Sequence, residues 1–418
     1  MRDDFISRYL VYREDTEPPK IFHRWAIISA LGAYLSRSVW VQLGESKIHP
    51  NQYVMLIGVP GTRKSTAIKM AKRLLQATGY NTFSADKTSK EKFIIDLAEP
   101  ENGDGDTSLE RNLFGEDSRS SSDVYIACDE FNNFIGNGNL EFISLLGEWW
   151  DIEGNYDYRT KSSKDISIPN PTVSILGGNT SVGFNLAFPP EVIGQGFFSR
   201  LLLVHSDPSK RRITFPKPPS VEDTAMLVGW LGEIRQRCSG KMTLTSTAER
   251  LLDKIYKANH HVPDVRFESY SNRRFTHLLK LCQIVATADL RMEITETDVI
   301  YAHTILSHTE FSMPKALGEF GSGKYSEVSH KIIQYLEGVP KVCSQADIWK
   351  QVNQDVDKIS DLSNILMNLV VADKILRHDG GFLAKGRKVH AITDGTVDYS
   401  MLTSEETGGK YEQLQIVA

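Results

Sequence analysis

The stretch Tyr53-Val54-Met55-Leu56-Ile57-Gly58-Val59-Pro60-Gly61-Thr62-Arg63-Lys64-Ser65-Thr66 decides how the rest of the chain is read. Five apolar residues run into a turn with two glycines and a proline, and Lys-Ser-Thr then opens a helical pattern. Strand, glycine turn and helix in this order make a phosphate-binding loop. Backbone N–H groups wrap the phosphates, and the helix N-terminus adds the positive end of its dipole. The residues expected to line it are Gly58, Pro60, Gly61, Thr62, Arg63, Lys64, Ser65 and Thr66. Lys64 would reach the β- and γ-phosphates of ATP or GTP, and the Ser65 hydroxyl would ligate Mg²⁺. The general pattern G-x-x-x-x-G-K-[ST] is broken once, where Arg63 stands in place of the second glycine. The competing reading is a Gly/Pro turn in front of an ordinary helix.

With 418 residues the chain has room for two or three domains. Its 40% hydrophobic and 24% charged content is that of a soluble globular protein. No apolar run approaches the roughly 20 residues of a membrane span. Met1-Arg2-Asp3-Asp4 carries no signal-peptide core, so a cytoplasmic location is expected. Cys128, Cys238, Cys282 and Cys343 are too scattered for a metal site and read as buried thiols. A net charge of −5 gives no global nucleic-acid signature, so any such binding must come from a local basic patch.

The expected class is α/β: a parallel sheet flanked by helices, followed by a helical lid and a C-terminal winged-helix domain. Residues 1–48 form a helical leader, broken at Pro18-Pro19. The nucleotide-binding core spans 49–218, with a polar, acidic insertion at 99–123 that is expected to be mobile. Helical periodicity takes over in 219–313, in four helices, the last ending near His308. A linker follows at 314–325. Residues 326–392 read as three helices and a hairpin with an Asp379-Gly380 turn, and 393–418 as a flexible tail.

Chemistry-bearing residues recur at the ends of apolar runs. Val124–Cys128 ends in Asp129-Glu130, where Asp129 would hold Mg²⁺ and Glu130 would polarise the attacking water. Pro171–Gly178 ends in Asn179, which would orient that water or touch the γ-phosphate, or else is a turn Asn. Arg200 opens the run Leu201–His205, a position that suits phosphate or a surface ion pair. Arg273 heads the third lid helix and could lean onto the nucleotide. A hairpin over 156–168 carries Arg159, Lys161 and Lys164 near its tip, either a grip on nucleic-acid phosphates or a solvated turn.

In this order the motifs resemble the AAA+ ATPases, and among them the minichromosome maintenance helicases. The loop Gly58–Ser65 is similar to theirs in lacking the second glycine. Ser199-Arg200 before a strand looks like their arginine-finger motif, and Arg273–Leu281 with Ile294–Val299 looks like their lid. That resemblance gives Arg273 the second-sensor role, Asn179 the first-sensor role, and Asp129 and Glu130 the metal and water roles. Phe22–Trp25, Asp129-Glu-Phe131, Ile168–Pro171, Leu176–Gly178 and Phe198–Val204 also resemble a family of bacteriophage and mobile-element ATPases associated with primases or helicases. Together the resemblances cover residues 20–310.

They imply a ring, hexameric by analogy, that hydrolyses ATP between subunits in bacteriophage replication, in the host cytoplasm. Its partners would be single-stranded DNA, bound without sequence preference, and possible replication proteins at the winged helix. A rival reading is an ATP-switched loader or remodeller acting on a partner protein. A nucleotide-binding protein without turnover fits poorly with Glu130 and Arg200.

Overall fold

Four apolar runs build the central sheet: β1 (Tyr53–Ile57), β2 (Asp123–Cys128), β3 (Thr172–Asn179) and β4 (Leu201–His205). All are parallel, in the spatial order β2-β3-β1-β4. Every residue of β1 and β3 is buried, the pattern of a parallel sheet covered by helices on both faces. Phe83 adds one parallel bridge to Tyr125, on the side of β2 away from β3. The computed structural model describes residues 3–98, 122–159, 165–188, 196–258, 260, 262, 264–317, 326–339, 342–356, 358–371, 374–378, 381–384 and 395–407. Most of the acidic insertion and the Asp379-Gly380 turn lie outside them.

The leader is part of the core. Its helices Phe5–Tyr12 and Lys20–Leu35 flank Pro18-Pro19, and all of the second helix except Lys20 and Tyr34 is buried. A helix apolar on every side must be covered on every side. This one packs on β1, β3 and the Lys64–Gln76 helix that follows the phosphate-loop stretch. The helices Val221–Arg237, Ser246–Lys257, Glu268–Thr287 and Glu296–Leu317 belong to the same compact unit as the sheet. The last runs well past His308 and through Pro314, because Met313, Ala316 and Leu317 are buried. Residues 314–317, expected in the linker, are therefore helical. Among the described residues no helix is long and apolar enough to cross a membrane, and all four cysteines are free and buried.

The chain divides into two units, one of residues 1–318 with 395–418 and one of residues 319–394. The second has its own core. Helices Ser326–Gly338, Gln345–Val352 and Ile359–Val371 and the antiparallel pair Ile375–His378 with Gly381–Ala384 enclose Val328, Ile332, Ile348, Leu362 and Leu366. Ser344 and Asp347 close a capping box at the head of its middle helix.

The tail expectation needs correction. Residues 395–407 return to the first unit, where the backbone N–H of Asp398 donates to Thr304 Oγ1 and the Thr396 carbonyl meets His303 Nδ1 at 2.9 Å. Glu406 accepts two hydrogen bonds from Arg24 of the leader, at 2.5 and 2.6 Å, and both side chains are buried. Burial alone would raise the Glu406 carboxyl's pKa. The Arg24 charge and the N–H and hydroxyl of Thr403 outweigh it, so the pKa lies below the ordinary value. A polar composition hid one carboxylate that neutralises a buried guanidinium. Removing one partner of such a pair leaves a buried charge uncompensated. Glu406→Gln should cost about 3 kcal/mol in urea denaturation, with a smaller loss in the paired variant Arg24→Met/Glu406→Leu.

Candidate functional site

At the C-terminal ends of the strands, three of the expected elements come together. In-register pairing sets Ile57 of β1 beside Asn179 of β3 and His205 of β4. The Gly58 N–H points to the Asn179 carbonyl at 3.4 Å. Val59, Pro60 and Gly61 are exposed, and Gly61 takes φ +86°, a conformation natural for glycine. Lys64 folds back across this turn, donating to the carbonyls of Gly58 (2.7 Å) and Val59 (3.1 Å) and to Thr62 Oγ1 (3.3 Å). Partial burial lowers its pKa, and Glu130 acts in the opposite direction. Ser65 and Thr66 occupy the first turn of the Lys64–Gln76 helix and are partly exposed.

Asp129 and Glu130 follow β2, one strand further out than Asn179. A Cβ on Gly178 would stand 2.4 Å from the Asp129 carbonyl, so only glycine lets the two strand ends approach this closely. Asp129 pairs with Lys69 at 2.5 Å, and Glu130 accepts from Asn133 Nδ2 at 2.8 Å. Asn179 is buried. Its Oδ1 accepts the Thr180 N–H, whereas its Nδ2 has no partner among the described residues. A buried donor without a partner is costly in an ordinary core and is suited to a bound acceptor.

Arg63 occupies a left-handed position, φ +61° and ψ +26°, immediately before the helix. This accounts for the glycine of the general pattern, which adopts that conformation freely. Here the side chain pairs with Glu17 of the leader at 2.5 Å. Glu17 also accepts the Ile213 N–H at 3.0 Å, from the segment after β4.

Arg200 and Arg273 lie at the other end of the sheet. Leu201 pairs with Tyr53, the first residue of β1, so Arg200 is a strand length, about 13 Å, from the phosphate-loop end. Both arginines meet Asp151: Arg200 Nη2 to Oδ1 at 3.2 Å and Arg273 Nη1 to Oδ2 at 3.1 Å. Trp150 lies beside both guanidiniums, 5.7 and 5.9 Å from their carbons, and Lys280 Nζ is 4.3 Å from its ring. Lys280 is buried and donates to Asn51 Oδ1 at 2.6 Å. Burial, with help from Arg37 and Arg200, pushes its pKa down to about 7. Burial and the Arg200 charge lower Arg273 as well. The neighbouring Arg274 turns inward to Glu310, at 2.7 and 3.0 Å, which fixes the helix rotation that leaves Arg273 at this edge.

The hairpin is present as Tyr156–Tyr158 paired with Ile166–Ile168. Lys161 and Lys164 lie outside the described residues. Arg159 is exposed and stands 3.6 Å from Asp165.

Sequence reasoning missed Asp151, Trp150, Lys280, Lys69 and Glu17. Two carried a signal: Lys280 interrupts the apolar run Leu278-Leu279-Lys280-Leu281, and Asp151 follows two adjacent tryptophans at a helix end. Lys69 and Glu17 carried none.

A scan of the chain against protein-family models gives no match, and a search of the curated proteins gives none.

The left-handed position makes a direct prediction. Arg63→Gly should leave stability within about 1 kcal/mol of the parent, whereas the β-branched Arg63→Val should lose about 1–2 kcal/mol, measured by thermal or urea unfolding.

Proposed function

We propose that the chain is an ATP-hydrolysing, ring-forming motor that translocates on single-stranded DNA in bacteriophage replication. Under this reading the sheet is an AAA+ core, the four helices from Val221 to Leu317 are its lid, and the 326–392 unit is a winged helix. The observation that carries it is the placement of candidate residues at opposite ends of one parallel sheet. Lys64, Asn179 and Asp129 lie at the C-terminal end, and Arg200 and Arg273 share Asp151 at the N-terminal end. A monomer cannot bring the two sets onto one nucleotide. Two copies stacked head to tail can, and such interfaces close into rings.

The residues fit ATP and Mg²⁺ in their donor chemistry. Among the described residues no group of three or more His, Cys, Asp or Glu is placed to hold a metal ion. Mg²⁺ bound with a nucleotide needs only one or two protein ligands, the rest being phosphate and water. Ser65 and Asp129 would serve, since the solvent-facing Asp129–Lys69 pair is of the weak kind that a divalent cation displaces. When bound, Mg²⁺ neutralises charge on the phosphates. Loop N–H groups and Lys64 hold the phosphates, and the unpaired Asn179 Nδ2 supplies a fixed donor beside them. Glu130 orients the attacking water. The adjoining copy contributes Arg200 and Arg273, so both of these residues act across the interface. An arginine supplied this way is worth about 10³–10⁵ in rate.

A second reading, an ATP-switched loader acting on a partner protein, is favoured by one contact. Arg159 lies close to Asp165, which balances the one hairpin cation among the described residues, on a chain of net charge −5. ATPase assays with single-stranded DNA at two salt concentrations separate the readings. Salt-sensitive stimulation with strand displacement from a forked duplex marks the motor, and absence of both marks the loader.

The shared site predicts complementation. Lys64→Ala and Arg200→Ala should each lose at least about 10³-fold in ATPase rate, with Arg200→Ala still binding ATP. Mixed in equal amounts, the two inactive proteins should recover activity, because some interfaces pair an intact Lys64 with an intact Arg200. Folded variants that stay inactive on mixing, or an Arg200→Ala protein with parental turnover, would overturn the reading.

A further inference from the structure

Asp151 has no place in the reaction described above, yet it is the point on which both interface arginines converge. Each of its oxygens takes one guanidinium, at 3.2 Å from Arg200 and 3.1 Å from Arg273. Arg200 is further tied to the Gly196 carbonyl at 2.5 Å, and its side chain is 10% exposed. An arginine folded in to this degree does not present its fork to another molecule. Its Nε is buried without a partner among the described residues, so its donors are not all satisfied there. The Arg273 side chain is 34% exposed and lies at the rim of the same cluster.

A guanidinium fork matches carboxylate and phosphate alike. One carboxylate between two guanidiniums leaves a net positive charge, and Lys280 lies on the same tryptophan. A phosphate carrying more than one negative charge is therefore a better match to the arginine pair than Asp151 is. The carboxylate stands where such a phosphate would compete.

We propose that Asp151 is a positioning residue that holds Arg200 and Arg273 on their own subunit and yields them to the triphosphate of an adjoining copy. It thereby sets how readily two copies complete a site. This rests on the shared-site reading above, and the experiment separates the two.

ATPase activity per subunit is measured against protein concentration for the full chain, Asp151→Asn, Asp151→Glu and Arg200→Ala, with assembly followed by sedimentation in ATP. Asp151→Asn keeps the shape but removes the competing charge. It should lower the concentration for half-maximal activity about tenfold and leave the plateau within about twofold. Asp151→Glu should keep the parental midpoint. Asp151→Ser provides a second uncharged variant should the first fold poorly. A merely structural role would raise the midpoint or depress the plateau. Either of those results, or an unchanged midpoint, overturns the proposal while an inactive Arg200→Ala keeps the shared-site reading intact. Parental turnover in Arg200→Ala removes that reading, and the proposal with it.

Discussion

Parallel alignment of four strands, in a fixed order, is the constraint on which the molecule depends. Because β3 lies between β1 and β2, Asn179 ends the strand next to β1, and Asp129 stands one strand further away. Parallel strands also divide the chain's chemistry by direction. Whatever follows a strand gathers at one edge, and whatever precedes it gathers at the other. Lys64 follows its strand, Asn179 ends its own, and Arg200 precedes its own. No side-chain movement brings these edges together, so cooperation between them requires a second molecule. Oligomerisation in the proposed function is thus a consequence of topology before it is a matter of surface complementarity.

The register is held by buried polar tethers as well as by the apolar faces. Ser29 of the leader donates to the Ile175 carbonyl in β3 and receives the Tyr125 hydroxyl from β2. Asn51 Nδ2 lies 3.0 Å from the carbonyls of Trp150 and Val173, and Lys280 lies on its oxygen. Tyr53 donates to the Leu146 carbonyl at 2.6 Å. Bonds of this kind add only modestly to net stability but are expensive to leave unmade. They therefore penalise a slipped register more than they reward the correct one. A slip of one residue would move Asn179 to the wrong face of its strand.

Local patterns made the sheet, the leader helices and the strand–turn–helix over residues 53–76 legible, because apolar runs, glycines and prolines act on their own neighbours. Asn179 and Arg200 were legible for the same reason, as polar residues at the ends of apolar runs. Partners chosen across the fold were not. Glu406 meets Arg24 across 382 positions, and nothing in Thr403–Thr407 marks it as buried. Asp151 joins Arg273 across 122 positions. The edge of Arg200 was readable, since it precedes its run in a parallel sheet, but the place of Arg273 beside it was not, because that rests on a contact across the fold. Arg63 could be flagged as a departure from the loop pattern, but its partner could not.

Arg63 also shows what a departure from pattern can supply. Glycine would take φ +61° freely, and arginine there is strained by about 1–2 kcal/mol. The Glu17 pair is half exposed on the arginine side, and such pairs are weak stabilisers, so it does not clearly offset the strain. Stability alone therefore does not favour arginine at this position. What it adds is a connection. Glu17 receives Arg63 from the loop and the Ile213 N–H from the segment after β4, and the hydrogen bond from Ile213 is the chief cause of its lowered pKa. One carboxylate of the leader thus joins the Arg63 side chain of the loop to the backbone after β4. A change in the loop's conformation at Arg63 must either carry the leader with it or break this link. The leader helix Lys20–Leu35 packs on β1 and β3 and holds Arg24 against Glu406. That helix therefore holds residues 395–407 through Arg24 and directly follows the segment whose Glu17 meets Arg63, a contact that glycine at position 63 would remove.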